Sequence, residues 1–210
     1  MLLEAMDLCR PRHKIEKYFK MTDTIEGEYH LQGIREMASG FILKPDHTFQ
    51  FFFVYGALDR YGTGTWNVKN EYVILNSAAK PGNEFSLVKS SKTDNDFINV
   101  VVDHTNPMLL RHVYCSLQNG AEGSWEQMSQ HGDVQFPPQP VDSISLLFEF
   151  TPERSSQVPV INKNHNEFVF RPEPWLTEVF LDNFQLKISG DGLKGKHPLL
   201  EGDQFIFSKC

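Results

Sequence analysis

The run Thr48-Phe-Gln-Phe-Phe-Phe-Val-Tyr55 constrains this chain more than any other segment. Side chains of a strand alternate between its two faces. Phe49, Phe51, Phe53 and Tyr55 therefore point one way, and Phe52 and Val54 the other. A strand that is apolar on both faces predicts cover on both, by two layers of protein or by protein and a greasy ligand. Lys44-Pro-Asp-His47 supplies the tight turn before it. The expected layout makes this strand a seam, with Phe52 and Val54 facing a second half of the molecule.

Beyond Met21 the pattern is strand, turn, strand, with almost no helical period. Turn signals recur at the short spacing of barrels and sandwiches: Pro45-Asp46, Pro81-Gly82, Asn106-Pro107, Asn119-Gly120, Gly190-Asp191-Gly192 and Gly202-Asp203. Two later segments alternate cleanly. Ile144, Leu146, Phe148 and Phe150 oppose Ser145 and Glu149, and Phe184, Leu186 and Ile188 oppose Gln185 and Lys187, as one-sided strands of antiparallel sheets do. Residues 90–96, Ser-Ser-Lys-Thr-Asp-Asn-Asp, hold no apolar side chain and mark the expected internal boundary. Residues 152–159 read as an exposed loop. The fold class is all-β: an extension over 1–21, a barrel part over 22–92, and an antiparallel β-sandwich over 93–210.

Composition narrows the partners. The net charge is −7, and the first twenty residues carry five Lys/Arg against three Asp/Glu, so the remainder stands at −9. That balance speaks against nucleic acid, whose phosphates need clustered cations. Three cysteines, Cys9, Cys115 and Cys210, form no disulfide framework and no CxxC pair, which points to a reducing cytoplasm. Glu4 and Asp7 interrupt the first residues before any apolar signal region forms. No stretch reaches the roughly 18 apolar residues that suggest a membrane span.

Two resemblances rest on short motifs. Gly27-Glu-Tyr29, Lys44-Pro-Asp-His-Thr-Phe49 and Gly64-Thr-Trp66 with Tyr72-Val-Ile-Leu75 beyond it resemble the small bacterial lipocalin-like (calycin-like) barrels, with His47 where those have a turn glycine. The match covers residues 26–90, and implies a half-barrel packed on the remainder of the chain. Residues 97–117, with Gly123-Ser-Trp-Glu126 and Gly132-Asp-Val-Gln-Phe136, are similar to a transthyretin-like sandwich of the carboxypeptidase-regulatory type. Both resemblances imply binding or scaffolding more often than catalysis, and fold alone does not fix function.

The densest polar cluster among apolar strands is Arg35-Glu36 with Tyr55, Asp59, Arg60, Tyr61 and Trp66. At a barrel mouth these residues would orient a ligand's polar end while phenylalanines hold its apolar body. The plainer alternative is a solvated hairpin loop. Glu36 and Asp59 are the only evident carboxylate pair for acid and base work. Eight histidines lie scattered without HxH or HxxxH spacing, so no metal is expected. His104 and His112 flank the Asn106-Pro107 turn. Gly62-Thr-Gly64 reads as a strand-entry turn, not a phosphate loop. Trp175, within Arg171-Pro-Glu-Pro-Trp175, is expected to plug an open sheet end.

The chain is thus expected to be a non-enzymatic protein that needs no cofactor. It would bind a small hydrophobic or amphipathic ligand, or a protein partner or second copy of itself. The alternatives are a small β-barrel isomerase or hydrolase using Glu36, Asp59 or a histidine, and a structural assembly module.

Overall fold

A computed structural model of the chain describes residues 25–56, 58–121 and 123–210. The extension read at 1–21, and with it Cys9 and His13, lies outside the described residues. Five strands come first: β1 (Gly27–Leu31), β2 (Met37–Leu43), β3 (Thr48–Tyr55), β4 (Leu58–Lys69) and β5 (Tyr72–Asn76). Next come β6 (Phe85–Ser91), β7 (Ile98–Val102), a one-turn helix α1 (Pro107–Leu110), β8 (Val113–Gln118), β9 (Glu126–Gln127), β10 (Asp133–Phe136), β11 (Ser143–Phe148), β12 (Ser155–Pro159) and β13 (Glu167–Pro172). The last three are β14 (Phe184–Ser189), β15 (Gly192–Gly195) and β16 (Phe205–Lys209). Among the described residues no helix is long and apolar enough to cross a membrane.

Strands β1 to β5 and β14 to β16 close into an eight-stranded antiparallel barrel in up-and-down order. The chain divides into two compact units, the barrel, with residues 179–210 returned to it, and residues 80–178. This differs from the expected boundary at 92/93. The final three strands, whose residues fall in the range 93–210 expected of the sandwich, complete the barrel, so the expected half-barrel is a closed one. Alternation identifies β14 as one-sided, with Leu186 buried and Gln185 and Lys187 exposed, but it does not say which sheet the strand joins. Closure removes the sheet edges that would otherwise need protection.

The barrel core comes from one face of each strand. Phe41, Leu43, Phe49, Phe51, Phe53, Val73, Leu75, Leu186, Leu193 and Phe207 are all buried together. The ring of Phe41 lies 5.2 Å from that of Phe51 and 5.1 Å from that of Phe207, contact distances for aromatic pairs. The outer face of β3 corrects the expectation of double cover. Gln50 and Val54 are exposed and Phe52 is half-buried. Phe52 gains its cover within its own sheet: the His30 ring meets it edge-on at 5.4 Å, and Gly40 opposite it has no side chain. A Cβ at Gly40 would stand 3.0 Å from the tip of the Phe52 ring. The aromatic run therefore marks one buried face and one locally shielded ring, not a seam.

Turn chemistry sets the β2–β3 register. His47 adopts φ +63°, the left-handed conformation a glycine usually supplies. Asp46 accepts from the Thr48 backbone N–H at 2.9 Å and from its hydroxyl at 2.6 Å, which holds its carboxyl below the usual range. The His47 ring packs on Trp66 at 4.9 Å.

Gly62 and Gly64 sit within β4 instead of forming an entry turn. A Cβ at Gly64 would lie 2.1 Å from the Asn76 carbonyl and 2.7 Å from the Phe49 ring. Gly64→Ala is accordingly expected to destabilise the protein by about 2 kcal/mol through overpacking, measured as a lower urea midpoint with an unchanged slope.

The second unit is a sandwich of two four-stranded sheets, ordered β10-β7-β13-β6 and β12-β11-β8-β9. β13 runs parallel to β7 and antiparallel to β6. Val100, Val102, Phe168 and Phe170 of one sheet share a core with Cys115, Ile144, Leu146 and Phe148 of the other. The expected loop over 152–159 contains β12, whose Ser156 is buried: its hydroxyl accepts from the Glu84 and Phe85 N–H groups at 2.8 and 3.0 Å. The Asn106-Pro107 turn is the start of α1, with the Asn106 side chain capping the Met108 N–H at 3.0 Å.

Candidate functional site

Because barrel neighbours run antiparallel, the β1–β2, β3–β4 and β15–β16 connections all fall at one end of the barrel, where β5 also ends and β14 begins. Six of the seven residues singled out in the sequence gather there. Arg35 and Glu36 are exposed in the β1–β2 connection, Glu36 at φ +64°. Tyr55 ends β3 and is 52% exposed, and Asp59 pairs with Val54 across the hairpin. Tyr61 stands on the outer surface, 47% exposed, in register with Phe52. Arg60 points the other way and is buried in the row that also holds Ser39 and Phe53. Trp66 is the exception, since it lies toward the opposite end, buried, with its indole N–H donating to the Lys44 carbonyl at 3.0 Å.

Glu36 and Asp59 are both exposed, and no hydrogen bond joins them among the described residues. The polar group under the mouth is a different one. His197, from the β15–β16 connection, turns into the barrel and is 5% exposed. Its ring is 5.7 Å from each of Phe51 and Phe53 and 5.6 Å from Phe205, and it stacks on Phe207 at 6.1 Å.

The hydrogen bonds around this ring fix its tautomer. The Leu199 backbone N–H donates to Nδ1 at 3.0 Å, so Nδ1 carries the lone pair and Nε2 carries the proton. Nε2–H then donates to Ser39 Oγ at 2.9 Å, and Ser39 O–H donates on to the Phe52 carbonyl at 2.8 Å. Burial lowers the His197 pKa to about 4, because the neutral ring satisfies every partner and the cation would be desolvated.

A serine and a histidine at this distance resemble a nucleophilic dyad, but the proton order is reversed. A general base must present a lone pair to the hydroxyl it activates. Here the ring donates to Ser39 and the hydroxyl proton is held by a carbonyl. The arrangement locks the β15–β16 connection onto β2 and does not prepare a nucleophile.

The remaining candidates separate into structural roles. His112 bonds Glu149 through Nδ1 at 2.8 Å and packs at a tilt against Phe150, while His104 accepts from the Asn106 N–H, so the two form no facing pair. Cys115 is fully buried, and burial pushes its thiol far up. Trp175 is half-buried, and its indole N–H holds the Asn83 carbonyl at 3.0 Å. Among the described residues no three His, Cys, Asp or Glu side chains converge as a metal site.

His197 and Ser39 were not singled out from sequence. The one available signal was Lys196-His-Pro-Leu-Leu200, an apolar run inside an otherwise polar connection, with Leu199 and Leu200 packed against the barrel core.

These features define a class: an up-and-down eight-stranded barrel with an eight-stranded sandwich inserted between its fifth and sixth strands. No protein-family model matches the chain, and neither curated proteins nor solved structures include a significant match to it.

Proposed function

We propose that the chain is a non-catalytic, lipocalin-like binding protein of the cytoplasm whose barrel mouth docks a protein partner. One observation carries this reading. The barrel exposes six large apolar side chains among the described residues, and five of them, Ile34, Val54, Tyr55, Tyr61 and Ile206, lie at or beside the mouth, with Tyr72 alone toward the other end. Arg35, Glu36 and Asp59 are interleaved with them. Exposed tyrosines ringed by mixed charge suit a protein interface, where aromatic anchors dominate the binding energy. The barrel interior favours this version over a small apolar ligand, because the rings of Phe41, Phe51, Phe207 and His197 pack on one another beneath the mouth at 5.1–6.1 Å.

The test places a photo-crosslinking side chain at position 55, 61 or 206, with position 72, an exposed barrel tyrosine away from the mouth, as control, in the native host. Crosslinks to one partner protein at the first three positions and not at 72 are expected. Tyr61→Glu should then weaken capture of that partner by about tenfold or more. Equal labelling at position 72, or an apolar small molecule retained through native mass spectrometry with no partner at the mouth, would overturn the proposal. Crosslinks only between copies of this chain would make it an assembly module instead.

A further inference from the structure

The polar run 90–96, expected to link two domains, instead joins β6 to β7 inside the sandwich unit, and its hydrogen bonding is too elaborate for a linker. The side chain of Asn166, 8% exposed, organises it. Its Oδ1 accepts from the Thr93 N–H at 2.7 Å and the Thr93 hydroxyl at 3.2 Å, and its Nδ2 donates to the carbonyls of Asn95 at 2.8 Å and Phe97 at 3.2 Å. The Asn166 N–H also donates to the Ser91 carbonyl, and the Asn99 N–H to the Asn166 carbonyl. One buried amide thus fixes the loop in a single shape, which is how a protein pre-organises a binding wall.

That wall bounds a cleft of about 250 Å³ at one end of the sandwich. Its apolar lining comes from Phe97, Ile98, Val141 and Val160, of which the last three are buried. Its lining also includes two opposite charges, Lys92 and Asp96, both exposed and paired with no other described residue. The other lining cation, Lys163, is already engaged, donating to the Val141 carbonyl at 2.7 Å and to Asp142 at 2.9 Å. One uncommitted cation and one uncommitted anion therefore line the same cleft as these apolar residues.

We propose that this cleft binds a small zwitterion of the free α-amino-acid class with an apolar side chain. The carboxylate lies toward Lys92, the ammonium toward Asp96, and the side chain on the Phe97–Val160 floor. A simple anion would face Asp96 unfavourably, and a neutral polyol would leave both charges unmatched. The volume falls just below the roughly 300–1,000 Å³ typical of drug-sized sites, which suits an amino-acid-sized guest.

The experiment is an NMR titration of the full chain with L-leucine and L-phenylalanine, alongside N-acetyl-L-leucine and L-leucinamide, which each remove one ligand charge. Saturable shifts confined to residues 92–98, 138–141 and 160–166, with a dissociation constant of about 1 mM or tighter, are expected. The two blocked analogues should bind at least about tenfold more weakly, as should both amino acids to Lys92→Ala and Asp96→Ala. Both positions are exposed, so unchanged melting of the variants verifies that they fold. Absence of shifts with both amino acids, or blocked analogues binding as well as the free forms, would overturn the assignment.

Discussion

Phe51→Ala is expected to remove about 3–5 kcal/mol of stability, the usual cost of emptying a fully buried phenylalanine site. Phe51 is 1% exposed and its ring touches the Phe41 and His197 rings at 5.2 and 5.7 Å. The surrounding strands belong to a closed barrel, which cannot collapse inward one strand at a time, so the cavity should persist. Domains of this size are typically stable by about 5–15 kcal/mol in total, and the loss would leave a marginal barrel. Phe52→Ala, one residue along, should cost only about 1 kcal/mol, since its ring is half-buried against His30 and solvent. Urea unfolding of the two variants checks the contrast. Similar losses at both positions would restore the idea of a strand covered on both sides.

That pair also shows how far the sequence could be read. The bounds of β2, β3 and β5 follow from turn residues and β-branched or aromatic runs, and the inward set Phe49, Phe51 and Phe53 follows from period two. In the structure Arg60 lies inside, sharing parity with Gly62, Gly64 and the buried Trp66 along β4. A charge beside Asp59 nevertheless read as loop. Three strands escaped notice because their residues are polar, short or glycine-containing: Asp133–Phe136, Ser155–Pro159 and Gly192–Gly195.

What the sequence lacked was pairing over distance. β14 alternates as a sandwich strand would, and nothing local reveals that it pairs with β5 across about a hundred intervening residues. The Ser39–His197 bond spans 158 positions. Each residue alone is ordinary, a small polar group in a strand and a histidine in a loop. Only the closed barrel makes them neighbours and removes water from both.

The second large effect concerns pH and that same histidine. An ordinary histidine titrates near 6.5, whereas folded His197 holds off its proton until about pH 4. Between those values the unfolded chain binds a proton that the folded barrel refuses. His197 therefore contributes its full stabilisation above about pH 6.5, and the contribution drains away as pH falls toward 4, where folded and unfolded forms bind the proton alike. At about 1.4 kcal/mol per unit the difference amounts to about 3 kcal/mol. The cause is burial: the charged ring would lose its water among Phe51, Phe53, Phe205 and Phe207, and a proton on Nδ1 would also confront the Leu199 N–H that now donates to it. Other groups titrate in the same range, so the effect is isolated by comparison with His197→Gln, which cannot ionise. The stability difference between the parent protein and this variant should shrink by about 3 kcal/mol from pH 7.5 to pH 4. Chemical denaturation at closely spaced pH values measures it. A difference that stays constant across the range would mean that the ring is protonated in the folded barrel, and that the tautomer assigned from Leu199 and Ser39 is wrong.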